Sequence, residues 1–193
     1  MIKRFLNCRP ARLGLGLASL AAATLLPAAE PKITPTKDII GFTVGDDYVL
    51  ANYTQLSALL QKWDTESDRM KVVSYGTSEE GRPMYMAIIT SPANHAKLEQ
   101  YRDISVKLAR ARISDDEAKK LSEEGKAVVW IDGGLHSTEV VNAQSLIVMI
   151  QQMISRTDAE TMRFLDDVIL LMPSPNPDGL ELTANWYMRT EDP

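Results

Sequence analysis

The stretch VVWIDGGLHSTEVVNAQSL, residues 128–146, decides how this chain is read. Apolar residues with strand character lead through Gly133 and Gly134 to His136 and Glu139, and a helical pattern follows. Strand, sharp turn and helix in that order form the unit from which α/β sheets are assembled. Ligand sites in open α/β sheets lie just beyond the carboxyl ends of strands, and His136 falls at such an end. The two glycines let the chain turn there without a side-chain clash. An imidazole nitrogen and a carboxylate oxygen converging from one turn can each reach a zinc ion at roughly 2 Å, leaving room for a third protein ligand and a water. His-x-x-Glu alone is a weak motif, and the competing reading is a helix capped by two polar residues.

Outward from this segment the elements alternate. Toward the N-terminus, Tyr53, Leu56, Leu59, Leu60 and Trp63 recur at helical spacing and predict an amphipathic helix. MKVVSYGTS and RPMYMAIIT then read as two strands joined by a turn, a β-hairpin. The intervening GTSEEG resembles a serine-hydrolase elbow, but that elbow needs a helix after it, and here a second strand follows. From Ala93 to Glu124 the charged residues and the spacing of Leu98, Tyr101, Ile104 and Leu108 predict a surface helix, then a shorter one opened by Ser114 or Asp115. His95 lies at the polar start of this stretch and reads as a surface residue. In the helix after Glu139, Val141, Leu146, Ile147, Met149, Ile150 and Met153 are expected to cover the sheet. TDAE, with Thr157 capping and Glu160 reaching back, has the spacing of a capping box. VILLMPSP is a further strand, ending in NPDG, where Asn176, Asp178 and Gly179 are expected to form a turn beside a cleft. The fold class is therefore α/β, a mixed sheet with helices on both faces: the hairpin antiparallel at one side, strands 127–132 and 167–172 parallel in the centre.

Composition narrows the function. The chain has 193 residues, 45% hydrophobic and 24% charged, within the range of globular proteins. Residues 1–29 carry four basic residues, no acidic ones and an apolar run ending in small residues, the layout of a secretory signal peptide cleaved after Ala23 or Ala29. Export to the periplasm or the extracellular space follows, without stable membrane insertion. Removing that segment leaves 17 of the 21 basic residues against 26 acidic ones, a net charge of −9. Such a balance speaks against a nucleic-acid partner. The only cysteine, Cys8, would leave with the signal, which excludes disulfides and thiolate zinc sites from the mature chain. A metal would have to be held by His, Asp or Glu.

Three segments taken together, GTSEEGRPMYMAIIT, GGLHSTE and NPDG, resemble the zinc metallocarboxypeptidases of the carboxypeptidase A type, in that family's order and over about residues 70–193. The resemblance implies a zinc carboxypeptidase-like fold, one Zn²⁺ held in part by His136 and Glu139, and Arg189 polarising the scissile carbonyl. It implies hydrolysis of the C-terminal peptide bond of peptides or proteins by a metal-activated water. The family's third zinc ligand, carboxylate-gripping Asn-Arg pair, lid tyrosine and general-base glutamate lie downstream of NPDG. No histidine follows Gly179 here. The chain is accordingly expected to be a truncated, N-terminal part of an exported zinc carboxypeptidase: a signal at 1–29, a lead-in and helix at 30–69, and the start of the catalytic domain at 70–193. That fragment is expected to be inactive by itself and poorly soluble, since truncation exposes a sheet edge. Alternatives are an N-acyl amino acid deacylase of the aspartoacylase type, which uses a similar His-x-x-Glu, a non-catalytic exported binding module on the same scaffold, and a structural α/β domain.

Overall fold

The computed structural model describes residues 32–189, so the signal-peptide segment lies outside the described residues. After a short helix α1 (Thr36–Ile40), α2 (Tyr53–Asp64) starts at a reciprocal capping box. The Asn52 side chain accepts from the Gln55 backbone N–H, and the Gln55 side chain accepts from that of Asn52. All five apolar residues of the expected stripe, Tyr53 to Trp63, are buried. Strands β1 (Met70–Thr77) and β2 (Pro83–Ile89) pair antiparallel as the expected hairpin, which also settles GTSEEG as a hairpin turn. The Tyr53 hydroxyl locks α2 onto β2, donating to Pro83 O at 2.7 Å and accepting from Tyr85 N at 3.0 Å.

Three helices follow: α3 (Pro92–His95), α4 (Leu98–Arg110) and α5 (Asp115–Glu124), the last capped by Ser114. Next come β3 (Ala127–Trp130), α6 (Val140–Ser155), α7 (Ala159–Asp167), β4 (Val168–Pro173) and α8 (Pro177–Tyr187). The sheet order is β1-β2-β4-β3, with β4 antiparallel to β2 and parallel to β3.

Alternation along the inner strands sends side chains to two layers. Ala87, Ile89, Leu170 and Met172 enter the main core with α2, α6 and α8, while Ile88, Ile169 and Leu171 face Tyr101 and Ile104 of α4. Helices thus cover both faces. Inside the main core, Gln144 of α6 satisfies both backbone groups of Ala51, accepting from its N–H and donating to its carbonyl at 3.0 Å each.

Several local expectations are corrected. Strand β3 stands at the edge of the sheet among the described residues rather than in its centre, and all four of its residues are exposed. Val141 is 65% exposed, because the buried face of α6 is set by Ala143, Leu146, Ile147 and Ile150. The cap of α7 is Asp158, not Thr157: the Asp158 carboxylate accepts from Thr161 N–H at 3.0 Å. The residues after Asn176 form not an isolated turn but the first turn of α8, with Pro177 at its start, where a missing N–H costs nothing.

Candidate metal centre at the carboxyl end of β3

Parallel pairing carries the chain a little beyond β3, since Ile131 N donates to Leu171 O at 2.9 Å and Gly133 N to Pro173 O at 3.4 Å. Gly133 then passes under α6 so closely that an added Cβ would lie 2.6 Å from Asn142 O and 2.7 Å from Leu146 Cβ. Gly134 turns the chain with φ +89°, a left-handed conformation that glycine adopts at little cost. The backbone comes back on itself where Glu139 N donates to His136 O at 3.0 Å. Glu139 is the N-cap of α6 rather than part of its first turn, and its side chain makes no capping hydrogen bond.

The carboxylate instead faces the imidazole: His136 Nδ1 and Glu139 Oε1 are 3.2 Å apart, and both side chains are largely open to solvent at 69% and 55% exposure. Two ligands at roughly 2 Å from one tetrahedral ion stand about 3.3 Å apart, so this separation fits a shared zinc. The donor set, a ring nitrogen and a carboxylate oxygen, fits as well. Among the described residues no group of three or more His, Cys, Asp or Glu side chains could hold a metal. The pair therefore offers two candidate ligands, whereas catalytic zinc ordinarily has three from the protein.

Neighbouring strand ends fix this loop. Asn176 Nδ2 donates to Leu135 O at 2.9 Å, and Asn176 Oδ1 accepts from Gly179 N at 2.9 Å, so one side chain joins the start of α8 to the residue before His136. A Cβ on Gly179 would lie 2.7 Å from Ser137 Cβ. Asp178 faces the hairpin, accepting from Ser78 Oγ at 2.8 Å, from Glu80 N at 3.1 Å and from Arg82 Nη1 at 2.6 Å. Desolvation pushes its carboxyl upward, but the bonds from Ser78, Arg82 and Glu80 outweigh that and hold it below the ordinary carboxylate value. The Asp178 and Asn176 contacts are long-range, and only the presence of NPDG hinted at them.

Arg189 lies just past α8 and is exposed; no hydrogen bond or ion pair joins it to His136 or Glu139 among the described residues. His95 stands apart from the pair. It is half-buried, with Nε2 shielded and lacking a partner among the described residues, and it lines a groove of about 1140 Å³ between α4 and the sheet. That groove has neither His136 nor Glu139 in its lining. Sequence reading passed over Asn142, whose Nδ2 donates to Glu139 Oε2 at 3.2 Å; its spacing three residues beyond Glu139 was the available signal.

Comparison with one solved structure agrees with this architecture. The crystal structure of thrombin activatable fibrinolysis inhibitor superimposes with a TM-score of 0.53 at 12% identity, covering 77% of this chain and 32% of that one. Carboxypeptidase A from Helicoverpa armigera gives 0.49 at 19% identity, covering 75% of this chain and 31% of the other. The chain thus spans about a third of the length of these solved structures. The family model described as zinc carboxypeptidase matches residues 56–193, which include the hairpin, the His136 loop and the Asn176 turn. By that match, the chain belongs to the zinc carboxypeptidase family.

Proposed function

We propose that this chain supplies the first two zinc ligands, His136 and Glu139, of an exported carboxypeptidase that removes C-terminal residues from peptides. The observation that carries the reading is the 3.2 Å pairing of His136 Nδ1 with Glu139 Oε1 at a strand end, inside the segment matched to the family. Zinc bound there supplies a Lewis acid that polarises a carbonyl and acidifies water. The chain's own part is to hold the imidazole and the carboxylate on one side of a rigid strand end, with Gly133 and Asn176 fixing the loop. Arg189 is assigned to the scissile carbonyl. The reading requires a third ligand and a general base from outside the described residues. The edge of β3, exposed and unpaired among the described residues yet apolar as a strand covered on both sides is, supports its belonging to a larger sheet. Residues 1–29 are assigned to export.

Titration of the chain with Zn²⁺, followed through the imidazole cross-peaks of His136, tests the site. Saturable shifts that vanish in Glu139→Ala are expected, with weak affinity for two ligands. Absence of any shift, or shifts unchanged in Glu139→Ala, would remove the site. The 193-residue chain is expected to release no amino acid from peptide C-termini, and zinc-dependent release by it would overturn the need for further ligands. An assay comparing peptides with N-acyl amino acids, on a protein holding the complete site, separates peptidase from deacylase.

A further inference from the structure

Resting on the zinc-site reading, we propose that Asn142 is a positioning residue that holds the Glu139 carboxylate toward the metal and away from the helix it caps. Glu139 occupies the N-cap of α6, where the first backbone N–H groups of a helix lack intrahelical partners and attract a carboxylate. A short acceptor side chain at this position, aspartate above all, ordinarily folds back onto those amides, a course also open to the longer glutamate. Here it does not, and the two carboxylate oxygens are used separately: Oε1 faces His136 Nδ1 at 3.2 Å, and Oε2 accepts from Asn142 Nδ2 at 3.2 Å. Meanwhile the Asn142 backbone N–H is engaged with Glu139 O at 3.1 Å, which takes one competing donor out of play.

Asn142 is itself well placed to act as a fixed donor. Its carbonyl lies against Gly133, where even a Cβ would come within 2.6 Å, so the start of α6 sits at a set height over the strand end that presents His136. One contact thus fixes the spacing between ligand loop and helix, and the side-chain amide transmits it to the carboxylate. Amide partners of this kind orient metal-binding carboxylates, and their loss commonly weakens metal binding by about 10–100-fold.

The test uses the 193-residue chain, with Zn²⁺ affinity read from the His136 imidazole cross-peaks, melting in the absence of metal, and the Asn142 side-chain NH₂ signals. N142A is expected to bind Zn²⁺ about tenfold more weakly with metal-free melting unchanged. N142Q, which keeps an amide long enough to reach back to the N-cap, is expected to recover part of the affinity. Without metal, E139A is expected to shift the Asn142 NH₂ signals. Equal Zn²⁺ affinity in N142A and wild type would overturn the positioning role and leave the zinc site standing. NH₂ signals indifferent to E139A would overturn it even if N142A failed to fold. A wild-type His136 that ignores Zn²⁺ would overturn the zinc site and the inference together.

Discussion

The two turns that follow the parallel strands are built in opposite ways. Beyond β4, the Asn176–Gly179 turn is bound by side-chain hydrogen bonds: Asn176 caps α8 and Asp178 takes three donors from the hairpin. Beyond β3, the loop carrying His136 and Glu139 leaves both side chains exposed and owes its position to close backbone packing at Gly133 and to a single bond borrowed from Asn176. The turn without candidate chemistry is cross-braced to the hairpin, whereas in the other the His136 and Glu139 side chains are bonded, among the described residues, only to each other and to Asn142. A metal site needs that division, since ligands engaged in structural bonds are not available to an ion, yet must still be held in place.

Breaking the packed side should have the largest effect. Gly133→Ala puts a methyl against a backbone oxygen and Leu146 Cβ, neither of which can swing aside, and overpacking of this kind costs about 3 kcal/mol at the upper end of its usual range. Chemical denaturation is expected to show that loss, together with a lower Zn²⁺ affinity. At Gly179 the same change meets the Asn176 side chain, which can move only by giving up its bonds, and Ser137 Cβ 2.7 Å away on the exposed loop, but no backbone oxygen among its nearest contacts, so the loss should be smaller. Near-equal losses at the two glycines would erase the proposed contrast.

Asn176→Ala acts on the link between the turns. It removes the cap on α8 and the donor to Leu135 O, at a cost of about 1–2 kcal/mol. The contrast predicts that this variant weakens Zn²⁺ binding as well, since the loop before His136 loses its one side-chain tie to α8. A variant with lower stability but unchanged Zn²⁺ affinity would show that glycine packing alone sets the loop.

The sequence exposes the braced and packed parts unevenly. Helical periodicity placed α2, whose apolar stripe is buried, while short apolar runs bounded by turn residues placed the hairpin and the parallel β3–β4 pair, although β3 itself is exposed. It missed α8. Leu182 and Trp186 of that helix are exposed, and Asn176–Pro177 reads equally well as a turn or as a helix start. At α7 two adjacent residues could both cap, and only geometry shows that Asp158 does. The apolar run of β3 reads as a strand buried on both sides, whereas among the described residues it is an edge. For the candidate site, the spacing of His136 and Glu139 was legible because both residues come from one turn. The Asn176 tie to Leu135 was not, because it joins segments 41 residues apart in sequence.

Removing the Asp178 charge gives the smallest effect, read in the acid limb of stability, because it touches one carboxylate of the braced turn. Asp178 is held below the ordinary carboxylate value by its donors, despite desolvation, so its charged form is favoured in the folded state. The stability it contributes is therefore present above the unfolded value of about 3.9 and is lost as pH falls through the lower folded one. Asp178→Asn should melt earlier at neutral pH and show a shallower decline in Tm as pH falls from about 5 to 3. Asp158 serves as the control. Its carboxyl is held at about 2 by the Thr161 backbone N–H first, then the Thr161 hydroxyl and Arg156, so its contribution persists further into acid. Asp158→Asn keeps a capping oxygen and should flatten the decline down to about pH 2, without altering Zn²⁺ binding at neutral pH. If Asp178→Asn left the acid limb as steep as in the wild type, the brace between NPDG and the hairpin would contribute nothing through charge. Ser78 and Glu80 would then hold it by neutral hydrogen bonding alone.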